Sequence, residues 1–195
     1  MFGEINISFI WHIRWILSLH GVIISIRLTM DINKLSAKYS VRSLDERDAQ
    51  KVLDLYNSNP LYFKHCPPCA TIQSVADDMH ALPDGKTLAD KHFLGFFDKD
   101  VLVAVLDLIE KYPLEHTIFI GLFMVAASYQ NKGVGSEIVS SCFENFASSG
   151  YTHVRLGYVK TNPQAKSFWQ KQGFLPKGIE CKQEFYTIVV MDKAI

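Results

Sequence analysis

An excess of charge of either sign is missing from this chain: 20 lysines and arginines stand against 20 aspartates and glutamates among 195 residues. No positive field exists to condense on a phosphate backbone, so nucleic acid is not expected as a main partner, and neutrality gives no hint of a strongly acidic or basic substrate. Cysteine is scarce. Cys66, Cys69, Cys142 and Cys181 form no even framework of close pairs, which argues against a disulfide-stapled secreted domain and for a reducing compartment, the cytoplasm. Internal repeats and low-complexity segments are also absent. What is present is 48% hydrophobic residues, enough to bury a substantial core in a chain the length of one ordinary domain, which excludes disorder and fibre.

Long hydrophobic runs are lacking too. Ile5 to Met30 is unusually apolar, with Arg14 and Arg27 its only formal charges, yet its uncharged run from Trp15 to Ile26 is about half the roughly 20 residues that a spanning helix wants. No membrane span is expected. Glu4 ahead of the apolar stretch and Thr29-Met30 after it do not fit a secretory signal. Residues 1–29 are therefore expected to be an apolar extension, either an added amphipathic helix or a segment translated upstream of a start at Met30. Residues 30–195 are expected to form a single domain.

Tyr39 to Ser43 reads as a short strand, followed by Asp45 as the N-cap of a helix whose Ala49, Val52, Leu53 and Tyr56 recur at helical spacing, stopping before Asn59-Pro60. Leu61 to His92 is polar and proline-containing, with a helical patch from Val75 to Ala81 and a turn at Pro83-Asp84-Gly85. So long an insert often lines a site. His92 to Phe97, Val101 to Ile109 and Thr117 to Val125 predict an antiparallel meander. A helix is then expected from Gly133 to Ala147, a buried strand from Thr152 to Val159, a second helix from Pro163 to Gln172 closed by Gly173, and a last strand from Phe185 to Met191. Phe93, Phe96, Phe97, Phe119, Phe123, Phe143, Phe146 and Phe168 are expected to fill the core on both faces of the sheet.

The strand ending at Val125 runs into Gln130-Asn131-Lys132-Gly133-Val134-Gly135-Ser136 and then the helix. Strand, glycine turn and helix in that order suit an anion, because glycine lets backbone N–H groups approach and the helix N-terminus adds free donors and a positive dipole end. An isolated glycine pair is more often a plain tight turn. The segment is neither a Walker loop nor the three-glycine dinucleotide fingerprint.

Gln130, Gly133 and Gly135 resemble the Gln/Arg-x-x-Gly-x-Gly/Ala pyrophosphate loop of the GCN5-related N-acetyltransferases. A second block, Asn162-Pro163-Gln164-Ala165 through Phe168-Trp169 to Gly173-Phe174, lies where that family would place it. The resemblance spans Tyr39 to Ile195 and implies a mixed, mainly antiparallel twisted α/β sheet flanked by helices, with two central strands splayed apart. It implies acetyl-CoA as acyl donor and a primary amine of a small molecule or peptide as acceptor, which attacks the thioester directly, so that catalysis is mostly positioning. Phe123, Met124 and Val125 would then hold the pantetheine and thioester, and Gln130 to Ser136, with Asn131, Lys132 and Val134 among them, the pyrophosphate. Asn162 would bind the arm, Ala165 would let its helix come close, and Phe168 and Trp169 would complete the donor site.

Trp169 departs from the pattern, standing where many members have the tyrosine that protonates the departing thiolate. The thiolate would then leave with only a water for help or with the aid of another group, Tyr158 or Tyr186, of which Tyr158 is the expected acid; a non-catalytic CoA-binding module is the alternative. Gly157 occupies the strand on which some peptide N-terminal acetyltransferases carry a glutamate base. The base is sought among Glu110, Asp107, Glu115 and His116 at the strand ends, with Glu110 taken first; each is otherwise a solvated strand-end group. His65 and Cys66-Pro67-Pro68-Cys69 have metal or redox spacing, but the other two cysteines are too distant for a four-ligand site, and no metal is expected. Tyr62, Phe63 and His65 instead suit a stiff loop over the acceptor. A homodimer is left open.

Overall fold

The structure is a computed structural model, and it describes residues 30–195. The expected apolar extension, residues 1–29, lies outside the described residues. Seven strands form one sheet: β1 (Ser40–Ser43), β2 (Lys91–Asp98), β3 (Val101–Glu110), β4 (Thr117–Val125), β5 (His153–Val159), β6 (Leu175–Lys182) and β7 (Thr187–Ala194), in the order β1-β2-β3-β4-β5-β7-β6. Every pairing is antiparallel except β4 with β5. Helices α1 (Ala49–Asn57), α2 (Pro60–His65), α3 (Ile72–His80), α4 (Val134–Ser148) and α5 (Pro163–Lys171) flank it. The expected meander is β2, β3 and β4.

The two faces of the sheet bury separate cores. On one, Leu106, Leu108, Ile118, Ile120 and Leu156 meet Val134, Ile138, Cys142 and Phe146 of α4 and Trp169 of α5. On the other, Phe93, Val105 and Met124 meet Val52, Leu55 and Tyr56 of α1 and Val75 and Met79 of α3. Alternation along each strand makes this division: Val105 and Leu106, adjacent in β3, join different cores. Among the predicted core phenylalanines, Phe119, Phe123 and Phe168 are only partly buried.

Local signals act where the sequence placed them, with shifts at the ends. Asp45 caps a 3₁₀ turn, Glu46–Asp48, through a reciprocal capping box, and α1 continues from it. Thr71 and Ser74 form another such box that starts α3 earlier than its apolar residues alone indicate. Two elements were not expected. Helix α2 occupies the stretch read as loop, with Pro60 in its first turn. Strand β6 is exposed at every position and carries Pro176 and Gly178, so it has no buried face to leave an alternating pattern; it is an edge strand held by β7 alone.

Candidate active site

The parallel pairing of β4 and β5 stops early. It runs from Thr117 opposite His153 to Ile120 opposite Leu156, after which β4 continues to Val125 and β5 to Val159 without partnering each other. The separation begins at a bulge. Asp107 of β3 faces Leu122 while Leu108 faces Ile120, which leaves Gly121 as the extra residue of β4. A Cβ on Gly121 would sit 2.6 Å from Asp107 Oδ2, so any side chain there would have to displace that carboxylate. These are the splayed central strands that the sequence led us to expect.

The open strand end leads to the glycine turn. Asn131 (φ 59°) and Gly133 (φ 80°) both take left-handed backbone, and Gly133 is the N-cap of α4 with no side chain capping the helix. The N–H groups of Val134, Gly135 and Ser136 in the first turn have no intrahelical acceptor, and they gather at the positive end of a 15-residue helix. A Cβ on Gly135 would stand 3.3 Å from the Phe168 ring and 3.5 Å from Val125 Cγ2, so this glycine keeps α4 close against α5 and β4. An uncapped, close-approaching helix N-terminus is the donor set that a pyrophosphate requires, and the residues present fit one.

Two polar side chains of the turn have structural work. Gln130 Nε2 donates to Val125 O at 2.8 Å and to Asn59 Oδ1 at 2.5 Å, and Asn59 Nδ2 donates to Val125 O at 3.2 Å. Lys132 Nζ donates to Ser128 O at 2.7 Å. Asn59, read in the sequence only as a helix stop, is thus a strut of the site, as is Ser58, whose hydroxyl accepts from Ala127 N at 3.2 Å. No local signal announces either role, since their partners lie far along the chain. Ser136 Oγ accepts from Gln172 Nε2 at 2.9 Å, tying α4 to the end of α5.

Asn162 is buried and caps α5, its Oδ1 accepting from Ala165 N at 3.0 Å. Trp169 is 7% exposed and stands in an aromatic cluster with Phe168, Phe174 and Phe123 at centroid distances of 4.9, 5.2 and 6.1 Å. Tyr158 is buried on the same face, in the stretch of β5 that no longer pairs with β4. A Cβ on Gly157 would meet Ile188 Cγ2 at 2.5 Å, so a glutamate at that position would have no room with Ile188 where it is.

Glu110 requires a correction. It pairs with Ile118 at the end where β4 and β5 are still hydrogen-bonded, three residues along β3 from Asp107 at the bulge, roughly 10 Å at about 3.3 Å per residue. Its carboxylate is bound by His92 Nε2 at 2.6 Å and by the Tyr151 hydroxyl. Burial works to raise its pKa, but the hydrogen bonds from His92 and Tyr151 outweigh that and hold it below the ordinary value. An anchored, acidified carboxylate in the paired stretch of the strands suits a structural role better than that of a base. His116, with Nδ1 at 3.2 Å from Gly150 O, and Glu115, with Lys111 Nζ at 3.5 Å, belong to the turn at that same end.

The other face of the opening is lined by different groups. Lys91 Nζ donates to Asp107 Oδ1 at 2.7 Å, with the lysine side chain 2% exposed and that of the aspartate 13%. Tyr56 donates to Asp78 Oδ2 at 3.2 Å. Helix α2 and the loop after it lean across to the far strands: His65 Nδ1 is 3.1 Å from Thr161 Oγ1, and hydrogen bonding to Cys66 together with burial pushes the Tyr186 hydroxyl up to about 12. Tyr62 lies in the same group, its pKa raised by burial and by Cys66. A wide groove of about 480 Å³ lies beyond the tip of β4, lined by Lys51, Asp54, Ser58 and Ala126 to Ser128, outside the gap between the strands.

Against this geometry, the profile of the acetyltransferase (GNAT) family matches residues 52–174, and the chain belongs to that family. An acetyltransferase from Thermus thermophilus is similar in fold with 21% identity and a TM-score of 0.63, over 81% of this chain and 97% of that one. The PaiA N-acetyltransferase from Thermoplasma acidophilum, solved in complex with coenzyme A, shares 16% identity with a TM-score of 0.59, over 80% and 99%. The ribosomal-protein-S18-alanine N-acetyltransferase of Escherichia coli shares 12% with a TM-score of 0.57, over 80% and 94%. No curated protein matches the sequence. The fold and the family define an acyltransferase of the general GNAT kind.

Proposed function

We propose that the protein transfers an acetyl group from acetyl-CoA to a primary amine of a small molecule or peptide by direct attack of the amine. The observation that carries this reading is the gap between β4 and β5 beyond Ile120 and Leu156, with the uncapped N-terminus of α4 on one side of the sheet. Bound acetyl-CoA supplies the activated thioester. The first-turn N–H groups of Val134, Gly135 and Ser136 hold the pyrophosphate, supported by the Gln130, Asn131, Lys132 and Gly133 turn. The backbone edge of Phe123, Met124 and Val125, which no longer pairs with β5, orients the pantetheine amides, and the α5 residues Asn162, Ala165, Phe168 and Trp169 close the donor side. Tyr158 is the phenol on the donor face that protonates the departing thiolate, since indole N–H at Trp169 is no acid.

The free thiols of Cys66, Cys69, Cys142 and Cys181 support a cytoplasmic setting, and among the described residues no helix is long and apolar enough to cross a membrane. Buried Trp169 favours a second reading, a GNAT-fold module that binds CoA without turnover; thiol release from acetyl-CoA by the full chain and an amine removes it.

Calorimetric titration of acetyl-CoA into the full chain, with a Gly133→Asp, Gly135→Asp double variant beside it, tests the donor site. Carboxylates in the first turn repel the pyrophosphate and occupy its space, so affinity is expected to fall at least about 100-fold in the variant. Equal affinity in both proteins, or none in the folded native chain, refutes the donor site.

A further inference from the structure

The sheet separates two chemistries. The face carrying α4 and α5 holds the uncapped helix end, and the face carrying α1 and α3 holds Lys91, Asp107, Asp78 and Tyr56. The two faces communicate where β4 leaves β5, and Asp107 stands at that place, opposite Leu122 and directly over the bulge glycine Gly121. One of its oxygens, Oδ1, is fixed by Lys91. The other, Oδ2, takes no hydrogen bond from any described residue, although the side chain is 13% exposed and lies 2.6 Å from where a Cβ on Gly121 would be. A carboxylate with one oxygen fixed by an almost fully buried lysine and the other open to solvent beside the bulge is placed to accept a hydrogen bond from a group that enters the gap.

Resting on the transferase reading above, we infer that Asp107 is the general base: its Oδ2 binds the acceptor's ammonium group and takes one proton from it, with Lys91 as the residue that positions the carboxylate. The freed amine nitrogen then forms its bond to the thioester carbon as the carbon–sulfur bond breaks. Tyr158 gives its proton to the departing thiolate, the second proton that the nitrogen gives up restores the Tyr158 hydroxyl, and the proton on Asp107 is released to solvent. Burial raises the proton affinity of Asp107 against the opposing pull of Lys91, which suits a base better than the acidified carboxylate of Glu110 does. The charged and titratable groups facing it are Lys91 from β2, Asp78 from α3 and Tyr56 from α1.

The experiment follows thiol release from acetyl-CoA by the full chain with a panel of primary amines: alkylamines, amino acids, diamines and peptides with free N-termini. Asp107→Asn is expected to lower kcat at least about 100-fold with the acetyl-CoA dissociation constant unchanged. The rate that remains should climb about tenfold per pH unit below the amine's own pKa, as free amine replaces ammonium. Asp107→Glu should recover part of the rate. Two further variants guard against loss of fold from an unpaired Lys91: Gly121→Ala, whose methyl displaces the carboxylate without removing its charge, and the neutral pair Lys91→Gln with Asp107→Asn. Both should melt cooperatively, bind acetyl-CoA and turn over slowly. A native-like rate and pH profile in Asp107→Asn, or recovery of the rate in the neutral pair, would overturn the assignment while leaving the transferase intact. If the native chain binds acetyl-CoA but acetylates no amine of the panel, the transferase reading falls and the base with it.

Discussion

Single residues in the site divide into those that hold the scaffold and those left free to meet a ligand, and hydrogen-bond accounting tells them apart. Gln130 and Asn162 each carry a motif position and Lys132 lies inside the loop, yet each side chain is committed to a backbone carbonyl or N–H nearby. Their motif role is therefore to set backbone, which is what a site built from main-chain donors needs. Trp169 is committed as well, wedged against Phe168 and Phe174 with 7% exposure. Trp169→Ala is expected to destabilise the protein by about 3–5 kcal/mol through the cavity it leaves, read as a fall in urea midpoint at unchanged slope. A loss below about 1 kcal/mol would show that the ring is not part of the core.

At the scale of elements, the ends of α4 and α5 are built on opposite plans. Helix α5 begins with Asn162 as a side-chain cap and Pro163 in its first turn, whereas α4 begins with left-handed Gly133 and no cap. An Asn162→Ala change should cost about 1 kcal/mol by removing the bond to Ala165 N, measured by denaturant unfolding. No loss would mean that the cap is already bound to solvent in the native state. The uncapped start of α4 gives up a similar stabilisation and leaves its first-turn donors for an anion. Strand β4 shows the same division within one element: paired on both sides as far as Ile120, it then keeps only β3 as its partner.

For the whole molecule, acid stability follows from two ion pairs on the sheet and its flank. Asp48 is held below the ordinary carboxylate value by hydrogen bonds from Arg42, two at 2.7 Å, and Asp192 by Arg155 at 2.6 and 2.7 Å. A pKa lowered in the native state gives stability that is complete above the unfolded value, near 3.8, and is lost as pH falls through the native value. Arg42 is 48% exposed, so solvent screens its pair, and each bridge contributes on the order of 1 kcal/mol or less. Asp107 and Asp78 have the opposite sign: burial raises both, so their contribution declines as pH rises above 3.8. Thermal melts stepped down from pH 5 should show the midpoint falling most steeply below pH 4, and the fall should be shallower in Arg155→Met than in the native chain. Parallel profiles for the two proteins would exclude this pair as a source.

Periodicity, caps and glycines in the sequence determined the meander, both helices of the second half and the glycine turn between β4 and α4, because each is a local property of consecutive residues. Val105 and Leu106 take opposite faces by alternation alone, and Gly133 marks the start of α4 by its need for positive φ. Tertiary structure decided the rest. Glu110 and Asp107 are equivalent in sequence, acids near the end of one apolar run, and only the register of β3 on β4 puts one at the closed end and the other at the bulge. Asn59, Lys91 and strand β6 carry no local signal, since their partners stand on elements far along the chain and the edge strand buries no face. Local sequence sets what a residue prefers to be, whereas long-range pairing sets which residues meet.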